Sequence, residues 1–317
     1  MNLPTFCYAD ELQEVTNDLD KEKQVNVAHE SVVNDDVRIA ISQGYRQDSL
    51  SWSIAGQHGF PNVQSELKWR SVTSWVTGLG GEFDFKPGWT LGANLISGSI
   101  FTGTNQDSDF NGNNRTGEFS QTQNSANSGK VIDLSFKIAY KLIEQKDIEY
   151  WPPGDLQLQF GLGLHQQDFT ITDGVSITPE TGKIFGLNSR YKTEWLSPWI
   201  GLENNFIIND NYQLLVGFQY HRAYFDATAN WNLRTDLKHP ESFRHRAEGY
   251  GFKASVNNFI SLSNSWKLNL SIQYQYWQAD KNGKDTLFFA NGRVVTSKLN
   301  EVNWSSYSIG AGIVYSF

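Results

Sequence analysis

Residues 307–317, at the end of the chain, read YSIGAGIVYSF. Successive side chains of a β-strand point to opposite faces, so this stretch has one large apolar face and one small, mostly polar face. The apolar face carries Tyr307, Ile309, Ala311, Ile313, Tyr315 and Phe317. A free edge with such a face invites unwanted pairing in a soluble protein, whereas the closing strand of a membrane barrel has no free edge. The stretch therefore predicts the closing strand of a transmembrane β-barrel.

The composition of the whole chain fits the same architecture. The 317 residues include 11 Trp, 13 Tyr and 20 Phe, yet the mean hydropathy is −0.47. No apolar run approaches the roughly 20 residues of a membrane helix, whereas a barrel alternates lipid-facing and lumen-facing residues. The alternative is a large soluble β-sandwich or a secreted β-barrel. We favour the membrane barrel because the face opposite the apolar one carries Gln, Asn, Lys and Ser, which would be costly to bury in a sandwich core.

A period of two begins at Val37 and continues to the C-terminus. It predicts about ten strands, within residues 37–53, 67–85, 89–95, 132–138, 156–164, 189–208, 212–221, 243–262, 266–276 and 307–317. Tight turns follow the even strands, and longer connections, such as the polar stretch 102–130, follow most odd ones. An even strand number is expected of a single-chain outer-membrane barrel. We therefore predict an all-β fold over residues 37–317, a single antiparallel transmembrane β-barrel of about ten strands with periplasmic termini and long extracellular loops.

Residues 1–36 differ from the rest, because they hold nine acids against two lysines. We predict an acidic tail in which residues 3–9 resemble the remnant of a signal peptide. The single cysteine, Cys7, excludes an intramolecular disulfide and a cysteine metal cluster. The formal charge of −8 argues against a nucleic-acid partner. We predict no cofactor and no metal site, outer-membrane lipids as partners, and a monomer.

The first candidate cluster is an acid pair, Asp107 and Asp109, in the polar stretch that follows the third strand. Acids spaced by two on an extended segment point the same way. Their mutual repulsion raises the pKa of one of them, and together they can hold a water or a cation. The alternative is that both acids are simply solvated in a polar loop.

The second candidate cluster lies on the connection after the seventh strand and contains Asp236 and His239, followed by Arg244, His245 and Arg246. A histidine near an aspartate can serve as a general base with its orienting group. The alternative is a basic, aromatic loop that meets lipid phosphates at the membrane surface. In a ring of ten strands, the connections after strands 3 and 7 lie roughly opposite each other. We therefore expect the two clusters to face each other across the barrel mouth.

Three short stretches resemble the omptins, which are outer-membrane endopeptidases with a ten-stranded barrel fold. They are residues 65–69 (SELKW), 198–202 (PWIGL) and the ending 311–317 (AGIVYSF). A final Phe with an aromatic residue two positions earlier is also similar to the terminal strand of bacterial outer-membrane barrels. The resemblance covers about residues 36–317 and places the protein in the outer membrane of a Gram-negative bacterium.

The omptin resemblance implies an Asp-x-Asp pair on the second outer loop and an Asp-x-His pair on the fourth. In the omptins, water held between the two pairs attacks a peptide bond next to basic residues. Asp107 and Asp109 fall where the first pair belongs, but Asn230 and Asn232 occupy the second pair when residues are counted without gaps from Tyr220. Neither amide is a base near neutral pH. Asp236 and His239 are then the substitutes, although they are spaced by three and shifted along the loop.

The omptin lipopolysaccharide motif, Tyr-x-Glu-x-Arg on the fifth strand, is replaced here by Leu164, Gln166 and Asp168. Lipopolysaccharide is a candidate partner only because the resemblance to the omptins implies it; the motif itself is not present.

Two hypotheses about function stay open. In the first, the chain is a surface endopeptidase in which Asp107 and Asp109 position water, His239 is the base and Asp236 orients it. Its acidic mouth would draw basic peptides or proteins as substrates. In the second, the chain is a non-catalytic barrel that acts through its extracellular loops as an adhesin, a binding protein or a structural protein. The Asn-x-Asn substitution favours the second hypothesis, and a related group of omptin-like barrels of unknown activity fits the resemblance equally well.

Overall fold

The computed structural model of the protein describes residues 37–145 and 154–317. The predicted acidic tail over residues 1–36, with its signal-peptide remnant and Cys7, lies outside the described residues. Ten strands make up most of the described chain: β1 (Val37–Ile54), β2 (Ser65–Lys86), β3 (Trp89–Gly112), β4 (Thr116–Gln145), β5 (Gly154–Thr178), β6 (Gly182–Asn209), β7 (Tyr212–Asn230), β8 (Phe243–Ser261), β9 (Trp266–Phe288) and β10 (Val294–Ser316). The helical elements there are the three-residue 3-10 turns Gln57–Gly59 and Asn113–Arg115. None of them has the length or apolarity needed to cross a membrane.

The strands form a closed antiparallel ring in chain order, because β1 pairs with β2 on one side and with β10 on the other. The closing register runs from Arg38 opposite Ser316 to Ile54 opposite Leu299. The closed ring pairs strand edges that would otherwise be unsatisfied in lipid. The predicted all-β barrel of ten strands, with residues 307–317 in its closing strand, is therefore confirmed.

The strands reach further at one end of the barrel than the sequence pattern predicted. Residues 102–130, predicted as a loop, belong to β3 and β4, which the turn Asn113–Arg115 joins. Strand β6 likewise begins at Gly182 instead of near residue 189. These polar extensions stand beyond the apolar band, where neither face of a strand has to be apolar. We call this end extracellular and the end with Val37, Ser316 and the tight turns periplasmic.

The outward face of the ring carries an apolar band between two aromatic girdles. Exposed apolar side chains of the band include Ile41, Leu79, Leu95, Phe136, Leu162, Leu202, Phe218, Ile272 and Ile309. The periplasmic girdle contains the ring pairs Trp89–Tyr140 and Trp266–Tyr315, each with centroids 4.7 Å apart. The extracellular girdle contains Tyr220–Phe252 at 5.5 Å and Tyr274–Tyr307 at 4.7 Å. This arrangement is typical of transmembrane barrels.

The lumen is packed with aromatic rings at and above the extracellular girdle. We call these rings the aromatic layer, which consists of Trp52, Trp69, Phe169, Tyr191, Trp195, Phe225, Trp277 and Trp304. Trp69 stacks on Tyr191 with centroids 5.0 Å apart, and Trp277 stacks on Trp304 at 5.5 Å. Because the rings come from seven of the ten strands, the layer fills the lumen like a protein core and forms the floor of the extracellular mouth.

A buried ion network lies directly below the aromatic layer. The Arg46 guanidinium donates to Asp133 at 2.8 Å and to Asp48 at 2.9 Å. Asp48 also accepts the indole N–H of Trp304 at 2.9 Å, and Asp133 lies 3.0 Å from His165 Nδ1. The network therefore ties β1, β4, β5 and β10 together inside the ring.

Candidate functional site

The acid pair lies on the inward face of β3, above the extracellular girdle. Asp107 is opposite Leu67 and Asp109 is opposite Ser65 in the β2–β3 register. Directly opposite residues of a strand pair share a face, and Leu67 belongs to the buried core. Phe101, six residues earlier on β3, faces outward, but the pairing of β2 with β3 is irregular between Ile100 and Thr104. The inward face therefore passes from even to odd positions before Asn105, which is buried, and Asp107. Both acids therefore point into the extracellular mouth, as their spacing predicted.

Burial gives both acids unusual protonation behaviour. It raises the pKa of Asp107 well above its usual range, and the charge of Asp109 adds to the rise. Burial also raises the pKa of Asp109, against the hydrogen bond from the Ser65 hydroxyl, which lowers it. Asp107 Oδ1 is buried and has no hydrogen-bond partner within the described residues. The pair therefore keeps a proton to higher pH than two solvated acids would.

Arg234, on the β7–β8 connection, is the positively charged residue that acts on both acids. Its charge lowers the pKa of both Asp107 and Asp109, in opposition to burial. Its guanidinium also donates two hydrogen bonds to Asp236, each 2.8 Å long. The β7–β8 connection thus acts on the acid pair through the charge of an arginine.

The predicted pairing of Asp236 with His239 does not occur in the structure. Asp236 is bound to Arg234, and His239 Nδ1 donates instead to Asn230 Oδ1 at 2.6 Å. Asn230 follows the buried, inward-facing Ala229 and pairs with the exposed Arg190, so it lies on the outward face of β7. His239 is therefore held on the outer side of the wall, whereas the acids face the mouth. The catalytic roles of Asp107, Asp109, Asp236 and His239 stay predictions.

Asn232 fixes the shape of the β7–β8 connection. Its Oδ1 accepts the main-chain N–H of Asn188 at 2.9 Å and the hydroxyl of Ser189 at 3.1 Å. Its Nδ2 donates to the carbonyl of Gly186 at 2.7 Å. Asn232, at the position that the count from Tyr220 assigns to the omptin histidine, therefore joins the connection to β6 by hydrogen bonds. Sequence reasoning missed both this contact and Arg234, because no local spacing signals a partner on another strand.

The inward-facing histidines are part of the packed lumen. His245 lies 3.0 Å from Tyr191 Oη through Nδ1 and 3.3 Å from Asp285 Oδ1 through Nε2. His221 lies 3.1 Å from Ser197 Oγ through Nδ1. Both rings are buried, so they act as polar links between strands. Within the described ranges, no group of three or more His, Cys, Asp or Glu side chains is placed to hold a metal ion.

A basic pocket lies on the outer wall, above the extracellular girdle. Its volume is about 230 Å³ and it is lined by Arg244, Arg246, Lys284, Thr286 and Phe288. Asp226 accepts hydrogen bonds from Arg244 at 2.7 Å and Arg246 at 2.9 Å, which leaves the pocket with net positive charge. Guanidinium groups suit phosphate oxygens, so this wall suits anionic groups of the outer leaflet.

At the omptin lipid motif, by contrast, Asp168 is paired with Arg190 and Gln166 with Glu194. Lipopolysaccharide as a partner stays a prediction.

We expect Asp107→Asn to be more stable than the unaltered protein at neutral pH. Because the pKa of Asp107 is raised by folding, the folded state keeps a proton that the unfolded chain releases. The protonated Asp107 therefore contributes fully to the unfolding free energy only at low pH. This contribution is lost as the pH rises from the pKa of the unfolded chain, about 3.9, through the pKa of the folded protein. Asparagine removes this loss. The measurement is urea unfolding of the refolded barrel at pH 7 and pH 3.5.

The advantage of the asparagine should shrink at the lower pH. Glu180→Gln, at an exposed acid of the β5–β6 turn, is the control and should change the unfolding free energy little at either pH. A variant Asp107→Asn that is less stable than the parent at pH 7 would contradict the expectation.

Comparison with known proteins agrees with the fold. The family model of the Protochlamydia outer membrane proteins matches residues 40–317. No curated protein matches the chain in sequence. Among solved structures, the outer membrane protease OmpT from Escherichia coli is similar over 90% of this chain and 98% of its own, with a TM-score of 0.76 and 16% identity.

Other solved barrels are similar over most of the chain but much more loosely. The translocator domain of the autotransporter NalP from Neisseria meningitidis has a TM-score of 0.38 and 13% identity, covering 96% of this chain and 98% of its own. The outer membrane protein OprG from Pseudomonas aeruginosa has a TM-score of 0.33 and 12% identity, covering 88% and 96%.

The predicted resemblance to the omptin barrel is confirmed, and at 16% identity it shows the fold alone. The protein is located in the outer membrane of Gram-negative bacteria, as predicted. Since the family model spans residues 40–317, almost the entire described barrel, the chain belongs to the Protochlamydia outer membrane protein family.

Proposed function

We propose that this barrel is a surface receptor that binds cationic ligands, basic peptides among them, at its extracellular mouth without cleaving them. One observation carries the proposal. The charge of Arg234, on the β7–β8 connection, acts on the two inward-facing acids, Asp107 and Asp109, while His239 is hydrogen-bonded to Asn230.

Within residues 37–145 and 154–317, no histidine is hydrogen-bonded to either acid, which argues against cleavage of the omptin type. A general base must lie within hydrogen-bond reach of the proton that it takes, directly or through one water. Arg234 cannot serve, because a guanidinium stays protonated in proteins. Among the described residues, the hydrogen bonds of His239 lead to the outer side of the wall, away from the face that carries the acid pair.

The charges of the mouth favour a cation. Three carboxylates, those of Asp107, Asp109 and Asp236, interact with the single guanidinium of Arg234. Asp107 Oδ1 is buried and accepts no hydrogen bond from the described residues, so an ammonium or guanidinium of a ligand reaches it once the neighbouring side chains move aside. Because a cation binds the ionised carboxylate, and because the pKa of Asp107 is raised, affinity should increase as the pH rises.

The second candidate function is an endopeptidase. The raised pKa of Asp107 and of Asp109 favours it, since a carboxyl that titrates nearer to neutral pH is a better acid or base. In this candidate, Asp107 and Asp109 position a water, His239 is the base and Asp236 orients it. It requires Asp236 to leave Arg234 and His239 to leave Asn230.

One experiment separates the two candidates. A quenched fluorescent peptide with a Lys-Lys pair is added to the refolded barrel at pH 5.5 and 7.5, and both binding and cleavage are followed. We expect binding without cleavage, tighter at pH 7.5, and weakened roughly tenfold or more in Asp107→Asn, since a hydrogen bond to a charged group is lost. His239→Ala and the control Glu180→Gln should bind normally.

The other outcomes are equally informative. Cleavage that disappears in both Asp107→Asn and His239→Ala would establish the endopeptidase in place of the receptor. A correctly folded barrel that neither binds nor cleaves the peptide would overturn both candidates.

A further inference from the structure

Four basic side chains form a row on the outer wall, around the basic pocket. Lys298 on β10 is directly opposite Lys284 on β9, and Lys284 is directly opposite Arg246 on β8. Arg244 is two residues from Arg246 on the same strand. Directly opposite residues of a strand pair share a face, so the four cations point outward together across three strands. We call them the basic row.

The lysine end of the basic row lacks compensating charge. The two arginines share the carboxylate of Asp226. Lys284 and Lys298 are exposed, and in the part of the chain that the structure describes neither ammonium group is hydrogen-bonded or ion-paired. Like charges directly opposite each other destabilise a sheet. An anion between the two ammonium groups therefore removes a repulsion without breaking a contact of the protein.

The basic pocket supplies space and uncharged contacts beside the row. Thr286, which lines the pocket, is directly opposite Arg244, and the exposed Thr296 is directly opposite Thr286. The half-buried ring of Phe288 also lines the pocket, and the ammonium of Lys238 lies 5.9 Å from the centroid of that ring. Threonine hydroxyls can exchange hydrogen bonds with the hydroxyls of a sugar, and an aromatic ring can pack on its apolar C–H face. A volume of about 230 Å³ has room for one sugar residue with a charged substituent.

The basic row stands above the headgroups of the membrane lipids. Arg246 lies six residues before Phe252, a member of the extracellular girdle, on β8. At about 3.3 Å per residue and a strand tilt of about 40°, this separation is about 15 Å along the membrane normal. The interfacial layer on each side of a bilayer is only roughly 5–8 Å thick. The phosphates of lipid headgroups therefore lie below the row, and the anions that reach it belong to molecules that project above the membrane.

The form of this surface favours a polysaccharide over a peptide or a nucleic acid. The ring is closed, so a peptide finds no free strand edge on the wall to pair with. Residues 1–36 hold nine acids against two lysines, which is most of the net charge of −8. The barrel is therefore nearly neutral, unlike the strongly basic domains that bind nucleic acids. A linear polysaccharide with sulfate or carboxylate groups can follow the row of cations along the wall and place its hydroxyls on the threonines.

From these contacts we infer that the outer wall binds an anionic polysaccharide along the basic row, with a sulfate or carboxylate group between Lys284 and Lys298 and one sugar residue in the basic pocket. Such binding would attach the bacterium to a surface that carries the polysaccharide. The row points outward, whereas the acid pair points into the extracellular mouth. The inference therefore goes beyond the proposed function and does not depend on it.

The test uses the refolded full-length barrel in nanodiscs of phosphatidylcholine, a lipid without net charge. The probe is a fluorescent heparin octasaccharide, the comparison ligand is a neutral dextran of similar length, and binding is followed by fluorescence anisotropy. We expect heparin to bind and dextran not to bind. Heparin should bind more weakly in about 0.5 M than in about 0.05 M NaCl, because salt screens exposed charges. Lys284→Gln combined with Lys298→Gln should weaken binding about fivefold to tenfold, since two exposed charge pairs are lost.

Lys130→Gln combined with Lys183→Gln is the matched control, because it removes two exposed lysines from β4 and β6. It should change the affinity by less than about twofold. Equal losses in the two double variants, equal binding of dextran, or no binding of heparin by a correctly folded barrel would overturn the inference. Lipid headgroups are tested by native mass spectrometry of the phosphatidylglycerol that the barrel retains in detergent. Phosphatidylglycerol that is lost with Lys284 and Lys298, in a barrel that does not bind heparin, would assign the row to lipids instead.

Discussion

Replacing Arg46 by methionine is expected to lower the unfolding free energy of the barrel by about 3–5 kcal/mol. The guanidinium is 3% exposed and binds both Asp48, which is fully buried, and Asp133. Methionine keeps an unbranched apolar stem but is shorter and has no charge, so it would leave two carboxylates buried without their cation. The fall in unfolding free energy exceeds the net stabilisation that the ion pairs provide, because each remaining carboxylate stays buried away from water without a partner.

The measurement is urea unfolding in lipid vesicles, followed by tryptophan fluorescence. Arg190→Met is the matched control, because it breaks an exposed pair with Asp168 and should cost less than about 1 kcal/mol. Adding Asp48→Asn and Asp133→Asn to Arg46→Met should recover part of the loss, since the unpaired charges are gone. A loss below about 1 kcal/mol for Arg46→Met alone would show that water reaches the network.

Replacing Trp195 by alanine is expected to cost about 3–5 kcal/mol. Trp195 is completely buried in the aromatic layer. Its ring centroid lies 4.5 Å from that of Phe225, 5.8 Å from Trp277 and 5.9 Å from Trp304. Its Nε1 has no hydrogen-bond partner within the described residues, so alanine removes packing and leaves a cavity without breaking a polar contact.

The same urea titration measures this loss. Phe185→Ala provides the control on the same strand, because Phe185 is 85% exposed and its removal should change the unfolding free energy by less than about 0.5 kcal/mol. Trp195→Phe should fall between the two. If Trp195→Ala is as stable as Phe185→Ala, the aromatic layer is not a packed core.

The two effects are coupled through the mouth. Trp304 belongs to the aromatic layer and donates to Asp48 in the ion network. On β2, Leu67 lies directly opposite Asp107, and Trp69 lies two residues further toward the membrane. The rigid floor of the mouth therefore depends on both the rings and the charges beneath them. Trp195 and Arg46 both pack on Trp304, and the energies of residues that share a partner do not add. The loss in the double variant Trp195→Ala, Arg46→Met should therefore differ from the sum of the single losses.

The alternating pattern predicted the barrel because lipid and lumen impose opposite demands on successive residues. In β7, for example, Val216 and Phe218 face lipid, whereas Gly217 lies between them on the inward side. The same reasoning failed for residues 102–130, since β3 and β4 extend beyond the lipid there. Outside the membrane, both faces of a strand can be polar, and the period of two disappears from the sequence although the backbone pairing continues.

By itself, the sequence determined the ring of ten strands, its closing strand, and the common direction of Asp107 and Asp109, because these follow from local alternation along one strand. Only the tertiary structure decided what the acids meet. The charge of Arg234 acts on them from the β7–β8 connection, which Asn232 joins to β6 by hydrogen bonds, and His239 is hydrogen-bonded to Asn230. Contacts between strands that are far apart in the chain depend on register and loop conformation, which no spacing within a single stretch of sequence records.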